Sequence, residues 1–65
     1  MTAAQRRTAI YKQLTTAQTP ISATALAQQF SVTRQVVVGD IALLRAAGQE
    51  FTATARGYVI PAQNG

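Results

Sequence analysis

The chain has 65 residues, a length that holds at most one small hydrophobic core, so it is a single domain or a piece of a larger protein. It contains no cysteine and no histidine, which excludes disulfides and removes the commonest metal ligands. Its apolar runs are far shorter than the roughly 20 residues that span a bilayer, and no leader resembles a secretory signal. We therefore expect a cytoplasmic location. Six basic residues against two acidic ones give a net charge of +4, which indicates a polyanionic partner or, alternatively, serves only solubility.

The first predicted helix covers about residues 3 to 17. Thr2 and Gln5 have the spacing of a capping box, in which each side chain bonds the free backbone N–H of the other residue. Apolar residues then repeat at helical spacing, namely Ala3, Ile10, Leu14 and Ala17. The helix is expected to end before Pro20, because a residue that precedes proline avoids helical geometry.

A short second helix is predicted to start at Ser22, which has the side chain of an N-cap. Ile21 before the cap and Leu26 within the helix form a hydrophobic staple, a contact that sets the angle at which the chain joins the helix. The residues expected to form its buried stripe are Ala23, Leu26, Ala27 and Phe30.

A third, longer helix follows after a tight turn. Thr33 is its predicted N-cap, and Val32 with Val37 forms a second staple. The helix is expected to end at Gly48 and to bury Val37, Ile41 and Leu44, while its opposite face shows Gln35, Gly39, Ala42 and Ala46. A short helix, a tight turn and a longer helix form the pattern of a helix-turn-helix DNA reader.

Beyond Gly48 the pattern changes to a short hairpin. Residues 51–54 alternate as a strand, residues 55–57 form a turn, and residues 58–60 form a second strand. The sequence therefore predicts a mainly α fold with a small β-hairpin, a three-helix winged helix-turn-helix over residues 1–60. Residues 61–65 are expected to be a tail or the start of a linker.

Catalysis is not indicated by the residue types present. The only carboxylates are Asp40 and Glu50, and a general acid or base needs a titratable group in a cleft. No metal site can be assembled from these residues, and the scattered glycines form no phosphate-binding loop. We therefore expect a chain that binds and does not react.

The first turn of the third helix is where a major-groove reader places its base contacts. An arginine fork suits guanine, an amide suits adenine and a valine side chain suits a thymine methyl. The candidate base-contacting residues in this turn are Thr33, Arg34, Gln35 and Val38. Each could equally be an ordinary solvated residue, with Thr33 only a cap. Together, after a stapled two-helix unit, they favour DNA contact.

Other arginines are candidates for contacts to the DNA backbone or minor groove. Arg56, at the tip of the hairpin, has the position of a wing residue, although a solvated turn arginine is the alternative. Arg6 and Arg7 lie in the first two turns of the first helix, where the helix dipole disfavours cations, so a nearby phosphate would stabilise them. For Asp40 we expect an ion pair with Arg45 or Arg56, most simply a weak surface pair.

Two other kinds of binding compete with duplex DNA. The outer face of the third helix is small and apolar enough to dock another helix, which is typical of a protein-interaction module. RNA binding lacks support, because stacking on unpaired bases needs exposed aromatic pairs and two of the four aromatic residues, Phe30 and Phe51, are expected in the core.

The chain resembles the N-terminal winged-helix domain of bacterial niacin-responsive transcriptional repressors, part of a group that includes the biotin repressor domain. The segments that carry the resemblance are RRTAIYKQL, PISATALAQQFSVTRQVVVGDIALLRAAGQE and ARGYVI. The most specific part is VTRQVVVGDIALLRAAG followed by TARGYVI. Gly39 departs from the family pattern, in which a longer polar side chain faces the DNA.

The resemblance implies an operator-reading third helix with Arg34 and Gln35 in the recognition role and Arg56 in the wing. It also implies that niacin and a metal belong to a separate regulatory domain, so this chain itself is expected to hold no cofactor. The family acts as a dimer, largely through that regulatory domain. A fragment of this length is accordingly expected to be monomeric, with double-stranded DNA as its partner and no membrane association.

Overall fold

A computed structural model of the chain describes residues 1–61, which form three helices followed by a two-stranded hairpin. The elements are α1 (Ala3–Thr16), α2 (Ala23–Phe30), α3 (Arg34–Ala46), β1 (Thr52–Thr54) and β2 (Gly57–Val59). The strands are antiparallel, with Ala53 opposite Tyr58. This architecture confirms the predicted winged helix-turn-helix, while the predicted tail lies, except for Pro61, outside the described residues.

Each helix starts directly after the residue predicted to cap it. The side-chain oxygens of Thr2, Ser22 and Thr33 each accept a hydrogen bond from the backbone N–H three residues later, at 3.1, 3.0 and 3.3 Å. At α1 the N–H of Thr2 also donates to Gln5 Oε1 at 2.9 Å, which completes the capping box. A cap of this kind stabilises a helix by about 1 kcal/mol, so the local sequence alone selects these boundaries.

Both α2 and α3 end at a residue in the left-handed conformation, and the Ser31 and Val32 N–H groups donate to the Gln28 and Ala27 carbonyls at 3.3 and 2.9 Å. Ser31 follows α2 in the left-handed conformation, with φ of 56°, and opens the tight turn that leads to α3. After α3, Gly48 has φ of 101° and its N–H donates to the Arg45 carbonyl at 3.0 Å, while the Gln49 N–H donates to the Leu44 carbonyl at 3.0 Å. This pair of bonds is a Schellman motif and confirms Gly48 as the stop of the helix.

One hydrophobic core joins all three helices and the end of the hairpin. Its buried members come from every helix and from the residue after β2: Ile10, Leu14, Ala23, Leu26, Ala27, Val37, Ile41 and Ile60. Ala3, which belongs to the apolar repeat predicted for the first helix, is exposed, whereas Ile10 and Leu14 of the same repeat are buried. Phe30, Leu44 and Ala17 are only half-buried, since each lies at or near the end of its helix.

The hairpin is held against the helices by backbone bonds as well as side chains. Ile21 and Tyr58 form a β-bridge, with N–H to carbonyl distances of 3.0 and 2.8 Å. The rings of Tyr11 and Phe51 pack edge to face with centroids 6.1 Å apart. Gly57, expected in the turn, instead begins β2 opposite Thr54, which leaves Ala55 and Arg56 as the turn. The wing is thus attached at two points, and its tip is free.

Within residues 1–61, no helix combines the length and the apolar character needed to cross a bilayer.

Candidate nucleic-acid interface

The outer face of α3 is solvent-exposed along its whole length. We define this face as the side opposite Val37 and Ile41, which are buried; its residues are Gln35, Val38, Gly39, Ala42 and Ala46. Successive residues turn by about 100° around a helix, so these five share one side. Four of them were predicted on the opposite face from spacing alone, and their exposure confirms that prediction.

The first turn of α3 combines free backbone donors with uncharged or basic side chains. It contains no acidic residue, and the helix dipole places positive partial charge there. Thr33 uses its hydroxyl oxygen to cap the helix, whereas Gln35 and Val38 extend from the outer face. Arg34 lies to the side of that face, toward the hairpin. The four predicted readers are therefore clustered, but they face in more than one direction.

A surface groove of about 300 Å³ separates the start of α2 from the hairpin. Arg34 lines it from the start of α3 and Arg56 lines it from the wing tip, and both are exposed. The remaining lining comes from Ser22, Ala23, Thr24 and the hairpin residues 53–55, 57 and 58. Two arginines and the positive end of α2 thus border one concave surface, an arrangement suited to an anion. The sequence predicted both arginines individually but not that they share a groove.

Asp40 is buried and pairs with α1, so the predicted pairing with Arg45 or Arg56 is wrong. Its side chain is 4% exposed, Arg6 Nε donates to Oδ2 at 2.5 Å, and Arg6 Nη2 donates to Oδ1 at 3.1 Å. Arg7 Nη1 lies 3.6 Å from Oδ1. On α3, Asp40 lies on the α1 side of the core stripe, whereas Arg45 lies on the hairpin side and donates to the Phe51 carbonyl at 3.2 Å.

This ion-pair cluster also constrains what Arg6 and Arg7 can do. The hydrogen bonds that Arg6 donates to the Asp40 carboxylate, helped by the charge of Asp40 and opposed by desolvation, raise the pKa of Arg6 above its ordinary value, so the guanidinium is charged at every pH of interest. The Arg6 side chain is 17% exposed and that of Arg7 is 29% exposed. The phosphate contacts expected of both residues stay predictions; the contact with Asp40 is an additional role that spacing alone did not indicate.

We expect Asp40→Asn to lower the thermal midpoint of unfolding by several degrees. The amide removes the charge that two arginines face and replaces one acceptor oxygen by a donor, which leaves Arg6 without its bidentate partner. Thermal unfolding followed by circular dichroism measures the effect, and Glu50→Gln, at an exposed carboxylate, is the matched control that should unfold like the wild type. An unchanged midpoint for Asp40→Asn would show that the cluster does not stabilise the packing of α3 on α1.

Comparisons with known proteins agree with this architecture. The model of a protein family described as an HTH domain matches residues 6–59, a range that includes most of α1 and all of α2, α3 and the hairpin. The chain is 45% identical over 56 residues to the probable transcription repressor NiaR of Thermotoga maritima, covering 86% of this chain and 32% of that protein. It is 39% identical over 56 residues to the transcription repressor NadR of Bacillus subtilis, covering 86% and 31%. The chain thus spans about a third of the length of these relatives, and the resemblance noted in the sequence is confirmed.

Proposed function

Because the chain belongs to the HTH domain family, we propose that it binds double-stranded DNA sequence-specifically, as the DNA-binding domain of a bacterial transcriptional repressor. The observation that carries this proposal is the exposed outer face of α3, which starts at a helix end with free backbone donors and no acidic side chain. A helix with these properties fits the major groove, where its first turns reach the base edges.

The proposed base contacts come from the first two turns of α3. Gln35 offers a bidentate amide to adenine, Val38 an apolar contact to a thymine methyl, and Arg34 a fork to guanine or to the neighbouring phosphate. A well-aligned bidentate contact to a base is worth about 1–3 kcal/mol of discrimination. Thr33 adds a hydroxyl beside the helix start. These residues specify the sequence in our proposal, and other residues hold the domain in register.

The proposed phosphate contacts surround that face. Arg56 and Arg34 share the groove between α2 and the wing, so a backbone phosphate that enters it meets both guanidinium groups. Arg6, Arg7 and Lys12 on α1 are further candidates; Arg7 has the weaker contact with Asp40 and the larger exposed fraction, which favours it over Arg6. Contacts of this kind supply affinity without base preference.

We also propose that the response to niacin resides outside this chain. The chain spans about a third of the repressors it matches, so a ligand-binding part, with its metal, fits the remaining length of such proteins. Dimerisation through that part would place two copies of α3 on two half-sites of an operator. The chain itself then binds without catalysing a reaction, in the cytoplasm where its DNA is found.

Fluorescence anisotropy with a labelled random-sequence duplex over a salt series tests the proposal. For the wild type, a plot of log Kobs against the logarithm of the salt concentration should fall with a slope of about 0.9 for each phosphate that the protein neutralises. Arg34→Ala/Gln35→Ala is expected to bind at least about tenfold more weakly, because it removes the phosphate contact proposed for Arg34 in the groove, and Arg56→Ala is expected to lower the salt slope by about one unit. Gln18→Ala, at an exposed residue between α1 and α2, is the control and should match the wild type.

A protein-interaction module is the second candidate, because apolar side chains on and beside the outer face are exposed. Leu43 is 56% exposed, Val38 is 38% and Val36 is 36%. Such a module would show no affinity for duplex even at low salt, or would bind it equally well after Arg34→Ala/Gln35→Ala. Either result would contradict DNA reading by α3 and would direct attention to docking of another protein on this helix.

A further inference from the structure

The glycine in the middle of α3 has no role in the fold. Glycine destabilises a helix interior relative to alanine, because its backbone loses more freedom on folding. The other two glycines of residues 1–61 have reasons within the protein: Gly48 has φ of 101° at the end of α3, and Gly57 has φ of 141° with Ile21 backbone against it. Gly39 has neither a positive φ nor a close neighbour.

The space around Gly39 would accept a side chain. A Cβ atom built at this position meets no protein atom within 4 Å, and the residue is exposed. Alanine would therefore fit without strain and would stabilise the helix. The missing side chain lowers the stability of α3, and no contact within the protein compensates for that loss. A compensating interaction must therefore involve a partner of the chain.

Gly39 lies at the centre of the surface that we propose to enter the major groove. It follows Gln35 by one helical turn, adjoins Val38, and precedes Ala42 on the same face. Without a Cβ, the backbone of α3 can approach a base-pair edge more closely at this point than at any neighbouring residue.

We propose that Gly39 is a specificity-determining residue: the gap at its missing side chain receives the edge of a base pair and sets how deeply α3 lies in the groove. This inference rests on the proposed function. The depth matters because hydrogen bonds weaken beyond about 3.2 Å, so a methyl group that holds the helix away from the bases lengthens the contacts of Gln35. Contacts to phosphates, made by flexible arginines, depend much less on this depth.

The test compares Gly39→Ala with the wild type on two kinds of DNA. Selection from a random duplex library with the wild type first supplies a preferred site, and anisotropy then measures affinity for that site and for a scrambled duplex. We expect Gly39→Ala to unfold at a higher temperature, by about 5 °C, yet to bind the preferred site at least about tenfold more weakly. Its affinity for the scrambled duplex should match the wild type.

A matched control separates this role from a general effect of helix stability. Thr8→Ala replaces an exposed residue of α1 with a better helix former, so it should raise the unfolding temperature and leave both affinities unchanged. Gly39→Ala binding the preferred site as tightly as the wild type would overturn the inference while leaving the proposed function intact. Failure of the wild type to bind any duplex would overturn both.

Discussion

We expect Leu26→Ala to leave the chain largely unfolded at 37 °C. Leu26 is 0% exposed and belongs to the core that joins α1, α2, α3 and the residue after β2. Truncating a buried leucine to alanine costs about 3–5 kcal/mol, from lost burial and the cavity that remains. A single core in a domain of this size rarely supplies more than about 3–5 kcal/mol in total, so the substitution removes most of the net stability.

Circular dichroism at 222 nm over a temperature ramp measures this loss, and Leu43→Ala is the matched control. Leu43 is 56% exposed on α3, so the same chemical change there should alter stability by no more than about 0.5 kcal/mol. A Leu26→Ala variant that unfolded at the wild-type temperature would contradict the assignment of Leu26 to a shared core. The comparison depends on burial alone, because both substitutions have the same effect on side-chain composition.

The second large effect is expected from Gly57→Ala. A Cβ at this position would lie 2.3 Å from the carbonyl carbon of Ile21 and 2.4 Å from its oxygen, and φ is 141°, where side chains are strained. Neither neighbour is a flexible side chain, so the hairpin must move away from Ile21 and lose the β-bridge beside it. We expect a loss of about 2–3 kcal/mol, together with weaker DNA binding because Arg56 moves with the wing.

The matched control for this substitution is the same change at Gly39. There, alanine meets no protein atom and is expected to stabilise the chain by about 1 kcal/mol. The two glycine-to-alanine substitutions should therefore change the free energy of unfolding in opposite directions. Urea titration of both variants gives the two free energies of unfolding on one scale. Equal stability of Gly57→Ala and the wild type would contradict the close contact between the wing and Ile21.

The helices could be predicted because neighbouring residues in the sequence determine their boundaries. Thr2, Ser22 and Thr33 are side chains that can satisfy free N–H groups three residues later, and Gly48 can adopt a left-handed conformation that stops α3. Each signal needs only a few neighbouring residues, so it can be recognised in the sequence without knowledge of the fold. The exposed outer face of α3 followed from helical spacing in the same way.

The contacts between distant residues could not be predicted from spacing. Arg6 and Asp40 are 34 positions apart, and their pairing depends on the angle at which α1 crosses α3. The shared groove of Arg34 and Arg56 depends likewise on where the wing lies against α2. Even the need for glycine at position 57 arises from the bridge between Ile21 and Tyr58, which no local pattern contains.

The most direct test of DNA reading by α3 is a titration of the ¹⁵N-labelled chain with duplex DNA, followed through the backbone amide chemical shifts. We expect the largest shifts at residues 33–42 and at the groove residues 22–24 and 53–57. The exposed residues Gln18 and Thr19 between α1 and α2 should change little. The absence of shifts at low salt, or shifts confined to α1, would contradict DNA binding by α3.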